Sequence, residues 1–190
     1  LKEKIQDKKA AALHATLELI SEQGFHGTPM SQIAQKANIG VGTIYRYFSS
    51  KEDLINALYV DVKARLARYI FRNHSETMPV RESFLLLWRN IIDYFLQNPT
   101  ELLFMEQYSN SPLITAATRE EALRTFAQAN HLFQRAREEK LVKELPLNML
   151  CTLTYGGVLS LVKLSLFCEP KLTDADLDAG VEALWDAIKR

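Results

Sequence analysis

Apolar residues recur at three- and four-residue intervals along almost the whole chain, and no stretch sustains the period-two alternation of a half-buried strand. Leu13, Leu17 and Ile20 share one face of a first helix over about residues 3–23, with Gly24 as its stop signal. A second helix is predicted from Pro29 to Ala37. Asn38 then stands where the chain must turn left-handed, a conformation asparagine tolerates better than most residues. A third helix covers Gly42–Phe48, and a fourth begins near Lys51 and carries Leu54, Leu58, Val62, Leu66 and Tyr69 to about Asn73. Further helices are expected at about 80–97, 99–108, 112–140, 147–167 and 174–189, the third of these open to a break at Thr115 and Thr118. Thr28-Pro29, Asn98-Pro99 and Ser111-Pro112 each set a capping side chain before a proline at a first helical position. The pattern predicts an all-α protein of about nine helices. A small head, residues 1–50, precedes a larger helical body, residues 51–190.

Composition narrows the function classes without choosing among them. The 23 basic and 23 acidic residues cancel, and residues 1–60 hold seven basic and six acidic groups, so any nucleic-acid footprint must be local. Lys2, Lys4, Lys8 and Lys9 form one such cluster. Cys151 and Cys168 match no metal or redox spacing and read as reduced thiols of a cytoplasmic protein. His14, His26, His74 and His131 have no metal-ligand spacing, and no catalytic or phosphate-cradling motif is present. An enzyme, a metal and a cofactor are therefore not expected. No charged leader followed by an apolar run opens the chain, so no signal peptide is expected. Residues 147–167 are apolar enough to raise a membrane span, but Lys163 and five polar residues favour a buried or interface helix.

The stretch IGVGTIYRYFSSKEDL, residues 39–54, is chemically unlike a core helix. Ile44 and Phe48, four apart, anchor it inward. Thr43, Arg46 and Tyr47 are then turned away from that anchor, with Tyr45 at its border. Hydroxyls, a guanidinium and polar-tipped rings are groups that hold phosphates and touch base edges. Gly42 removes a side chain where the helix start would meet DNA, and backbone N–H groups there suit a phosphate. The following SSKED run supplies a capping box, either Ser49…Glu52 or Ser50…Asp53. Lys51 is oddly placed in that first turn, because the helix dipole disfavours cations there.

The longer segment GFHGTPMSQIAQKANIGVGTIYRYFSSKEDL resembles the DNA-binding head of the TetR family of bacterial transcriptional regulators. The resemblance rests on the Gly-Phe turn, Thr28, Ile33-Ala34, the Gly-Thr-hydrophobic-Tyr-x-x-Phe core and Ser-Lys-Glu-Asp-Leu. It departs at Asn38, where relatives commonly have glycine, and at Gly40, where they commonly have a capping residue. It implies that Thr28, Tyr47 and Lys51 hold phosphates, that Gln32, Gly42, Thr43 and Tyr45 lie at or near base edges, and that Arg46 does either. It also implies double-stranded DNA as partner, with a palindromic operator, a homodimer, and a small-molecule effector held in the body.

For the body the resemblance supplies architecture only. Trp88, Phe95, Phe104, Tyr108, Phe126 and Phe133 are candidate ligand-binding groups, favouring an apolar or amphipathic molecule. Gly156, Gly157, Val181, Leu184, Trp185 and Ile188 are candidates for the dimer interface, the glycine pair by permitting close helix approach, which is expected across the dimer in preference to within one subunit. The expected protein is a homodimeric repressor released from its operator by the ligand. The alternative is a ligand-independent DNA-binding architectural or cell-division factor of the same fold.

Overall fold

A computed structural model describes the backbone of residues 2–190 and the side chains of residues 7–190; Lys2 and Lys4 of the basic cluster lie outside the described side chains. Ten helices are described: α1 (Lys2–Gln23), α2 (Met30–Lys36), α3 (Val41–Tyr47), α4 (Lys51–Ile70), α5 (Val80–Gln97), α6 (Pro99–Tyr108), α7 (Ala116–Arg124), α8 (Ala127–Glu138), α9 (Leu147–Phe167) and α10 (Asp174–Ile188). The count exceeds nine because the segment expected at 112–140 is two helices. Ser111-Pro112 does not start a helix: the Ser111 hydroxyl accepts from Leu113 N–H in a turn. Thr115 is the cap instead, its hydroxyl accepting from Thr118 N–H at 3.1 Å. A threonine that reads as a weak helix former is thus a helix start.

The chain forms two compact units, one of residues 1–64 and 100–123, the other of 65–99 and 124–190. In the first, Leu13, Leu17 and Ile20 of α1 pack with Ile33, Ala34, Ile44, Phe48, Leu54 and Leu58 in one apolar core, which Phe104, Met105 and Tyr108 of α6 complete. Asn56 stitches α4 to the turn before α7: its amide donates to Leu113 O at 2.8 Å and its oxygen accepts from Thr115 N–H at 3.0 Å.

In the second unit, α5 packs against α8, α9 and α10. Phe84 stacks on Trp88 at 4.3 Å between centroids, Phe133 meets Trp88 edge-on at 5.4 Å, and Trp185 lies 5.2 Å from Phe84. The rim is ionic: Arg89 reaches Asp93, Asp174 and Asp178, and Arg81 pairs with Glu182. Thr173 and Asp176 form a capping box at the start of α10.

His74 follows α4, with its Nε2 buried and without a hydrogen-bond partner among the described residues. Burial pushes its pKa below 6.5; Glu76 pulls it up and Arg135 pushes it down. A histidine depressed in the fold binds fewer protons folded than unfolded, so its contribution is present above about pH 6.5 and is lost as pH falls below it. His74→Phe is expected to flatten the acid side of the stability curve between pH 7.5 and 5.5, read by thermal melts of both proteins across that range.

Candidate nucleic-acid interface

The first unit's surface is organised by α2, a tight turn and α3. Ile33 and Ala34, both fully buried, give α2 an inner face small enough for α3 to approach. Asn38 takes φ 53°, the predicted left-handed turn. Ile39 N–H then donates to Ala34 O at 3.0 Å, closing the turn onto α2. Gly40 is the N-cap of α3, its carbonyl accepting from Thr43 N–H at 2.8 Å and Ile44 N–H at 3.2 Å. With Ile44 and Phe48 buried, the opposite face of α3 is presented to solvent.

On that face Val41 is 43% exposed and Tyr45 52%, and Arg46 is also exposed. Thr43 and Tyr47 are half-buried. The two tyrosines therefore exchange their expected places. Tyr45 stands out, whereas Tyr47 packs partly on the core with its ring 6.4 Å from Phe48. Gly42 is open: an added Cβ would meet nothing within 4 Å, so the chain's own packing does not require a glycine there. Gln32 is half-buried, its amide oxygen accepting from Gln23 Nε2 at 2.9 Å.

Thr28 and Lys51 turn inward. Thr28 is 0% exposed and its hydroxyl donates to Gly24 O at 2.8 Å, so it neither caps α2 nor faces a phosphate with its side chain. Pro29 occupies the N-cap position of α2 without a side-chain cap. Lys51 Nζ donates to Phe25 O at 2.6 Å and lies 4.2 Å from the centre of the Phe25 ring. The cap of α4 takes the Ser50…Asp53 register, Ser50 Oγ accepting from Asp53 N–H. The Asp53 carboxylate reaches one residue further back than a capping box, to Ser49 N–H at 2.8 Å.

The candidate ligand residues divide between the units. Trp88, Phe95 and Phe133 are buried and Phe126 half-buried in the second unit, while Phe104 and Tyr108 belong to the core of the first. Phe104 and Tyr108 also border a cleft of about 480 Å³ with Ile20 and Leu103. A second cleft of the first unit, about 610 Å³ between α1, α4 and α7, has no signal in the sequence. Phe84, at the centre of the aromatic cluster, escaped sequence reasoning, although its i,i+4 spacing to Trp88 on one helix face was visible.

The candidate interface residues divide as well. Val181, Trp185 and Ile188 are buried within the chain's own second unit, so they form its interior and offer no outward face. An added Cβ on Gly157 would come within 2.3 Å of Leu184 Cδ2, so the close approach this glycine permits is between α9 and α10 of one chain. Gly156 is exposed and meets nothing within 4 Å.

A pair of helices packed on one core and joined by a left-handed turn, with the second presenting tyrosine and arginine, defines a helix-turn-helix DNA-binding protein. Residues 12–58 match the model of the tetR family of bacterial regulatory proteins, and residues 79–189 match a tetracyclin repressor-like C-terminal domain. The chain belongs to the TetR family and is a DNA-binding transcriptional regulator, not an enzyme. It is 27% identical over 176 residues to an uncharacterised HTH-type transcriptional regulator of Haemophilus influenzae, covering 93% of this chain and 92% of that one. A TetR-family regulator structure from Vibrio parahaemolyticus is 32% identical, with TM-score 0.84 over 96% of this chain and 99% of the other. The regulator FadR of Bacillus subtilis, in complex with stearoyl-CoA, shares the fold at 20% identity, with TM-score 0.73 over 93% of this chain and 95% of that one.

Proposed function

We propose that this regulator is a homodimeric repressor of a palindromic operator, released by a small apolar or amphipathic ligand. The observation that carries the DNA side is the exposed row Val41, Tyr45 and Arg46 on a helix whose opposite face is anchored. In the major groove, Tyr45, Thr43 and Gly42 lie at base edges with Gln32 beside them, and Arg46 and Tyr47 reach phosphates. Val41 supplies an apolar contact suited to a thymine methyl.

The dimer face we assign is the outer stripe of α9, namely Met149, Leu153, Gly156, Ser160, Leu164 and Phe167, all exposed and all on one side of the helix. Ala179, Ala183 and Ala187 of α10 continue it with small side chains that let a partner helix come close. By length and composition α9 is apolar enough to cross a membrane. A second copy packed on this stripe accounts for the same hydropathy in a protein that works on DNA in the cytoplasm. Two heads so joined must reach major grooves about 34–36 Å apart.

For the ligand side, support comes from the aromatic interior around Trp88 and Phe133, and from the amphipathic molecule bound by the fold relative from Bacillus subtilis. The chain passes between the units three times, and the crossing at residues 64 and 65 lies inside α4, so this helix is the continuous covalent route we assign to ligand occupancy reaching the head. A ligand favouring one head spacing shifts the population and the operator affinity. Equal affinity with and without every bound ligand defeats this part and favours the ligand-independent reading.

The test of the DNA side is Tyr45→Ala. Because Tyr45 is exposed, its melting temperature should stay at the wild-type value, while affinity for a duplex selected by the wild type from a random pool should fall about tenfold or more. A thermal melt reads the first, and fluorescence anisotropy across a salt titration the second. An unchanged affinity removes α3 from the interface.

A further inference from the structure

We infer that Lys51 serves DNA binding as a positioning residue, clamping the α1–α2 turn through Phe25 rather than neutralising a phosphate. This rests on the DNA-binding surface proposed above. A cation in the first turn of a helix is disfavoured by the dipole, so its presence at the start of α4 asks for a compensating acceptor. The chain supplies one. Lys51 Nζ donates to the Phe25 carbonyl at 2.6 Å, and the same ammonium sits 4.2 Å from the centre of the Phe25 ring, within cation–π range.

Phe25 is a fixed anchor for such a clamp. It is buried in the core of the first unit, and its carbonyl also accepts from Thr28 N–H at 3.3 Å. The turn it belongs to is constrained at both ends. Gly24 adopts φ 74°, and the fully buried Thr28 hydroxyl closes back on Gly24 O at 2.8 Å. Residues 24–28 deliver the chain to α2, and α2 carries α3. Lys51, the first residue after the cap that follows α3, thus joins the exit of the reading helix to the entry of its supporting helix. The two contacts span 26 positions of sequence and close the helix-turn-helix into a ring.

A clamp and a phosphate contact predict different losses. Removing a phosphate contact weakens all duplexes about equally and makes the dependence of log K on log salt shallower by about 0.9 per protomer. Loosening the pose of α3 weakens the selected duplex and spares the scrambled one, with the salt slope unchanged.

The experiment compares wild type, Lys51→Met and Lys51→Gln on a duplex selected by the wild type and on a scrambled duplex, across a salt titration. Lys51→Met should lose about tenfold on the selected duplex only, at unchanged slope. Lys51→Gln, which lacks the charge but keeps a donor for the Phe25 carbonyl, should recover most of that loss. A shallower slope with equal weakening on both duplexes, unrelieved by glutamine, overturns the inference, as does a lowered melting temperature with both affinities intact. Should Lys51→Met not fold, Lys51→Gln alone decides: a wild-type slope supports the clamp, a shallower one overturns it. A wild type that does not discriminate between the duplexes defeats the proposed function before any variant is compared, and the inference falls with it.

Discussion

Leu153→Arg is expected to leave the chain folded, convert it to a monomer and lower affinity for a full palindrome by about two to four orders of magnitude. Leu153 is 55% exposed at the middle of the outer stripe of α9, so replacing it removes little from the core of its own chain. In the proposed dimer the same position would face a second copy across the two-fold axis, and arginine there would place two like charges in a desolvated seam. Such charges are strongly destabilising when nothing pairs them. The loss on DNA follows from connectivity. Once one head of a dimer is bound, the other searches at a high effective concentration, and a monomer has no such second step. Sedimentation should report a mass near 21.7 kDa for the variant and twice that for wild type. The variant should bind half-site and full-site duplexes alike. Leu123→Arg, at a residue 64% exposed on α7 and off the stripe, is the control and should remain dimeric. A Leu153→Arg protein that stays dimeric moves the interface elsewhere.

The residues of that stripe show where periodicity informs and where it stops. Val181, Leu184, Trp185 and Ile188 were recognisable as apolar positions at helical spacing in α10, and the structure buries all but Leu184, which is half-buried. A hydrophobic stripe does not say whose surface covers it. Here it is the chain's own α5 and α9, while the outward stripe of α9 blends into a helix that is apolar nearly all round. The alanines of α10 carry no signal, because alanine is the default residue of any helix. Gly157 was legible as a close approach, across a dimer in preference to within one subunit, and the structure makes it a contact with Leu184 of the same chain, a pairing too distant in sequence for spacing to choose.

Local chemistry was more transparent in the head. Asn38, Ile44 and Phe48 have roles set by neighbours within five residues, and each takes the predicted one. Thr28 and Ser111 defeat the rule that a hydroxyl before proline caps a helix, because other partners lie within reach of the same oxygens. The Thr28 hydroxyl finds Gly24 O, and that of Ser111 finds Leu113 N–H. The contact of Lys51 with Phe25 is closed by the fold and was invisible to spacing.

Phe48→Ala is expected to destabilise the protein by about 3–5 kcal/mol, against little or no change for Tyr45→Ala three residues earlier. Phe48 is one of the largest fully buried side chains and packs into the core that unites α1, α2, α3 and α4. Its backbone ends α3, with N–H donating to Ile44 O at 3.0 Å, so the ring fixes the end of the reading helix as well as filling space. Truncation leaves a void that neighbours fill only in part. A loss of that size is a large share of the roughly 5–15 kcal/mol that holds a domain folded. Denaturant titration reads the cost directly, and Phe48→Leu, which restores most of the volume, should recover the larger part of it. Operator DNA binds only the folded head, so saturating duplex should raise the unfolding midpoint of Phe48→Ala by mass action. Tyr45→Ala should show the reverse, an ordinary midpoint that duplex scarcely moves. Equal stability losses for the two variants would mean that α3 is not held by its inner face, and the exposed row Val41, Tyr45 and Arg46 would lose the rigid support that makes it a reading surface.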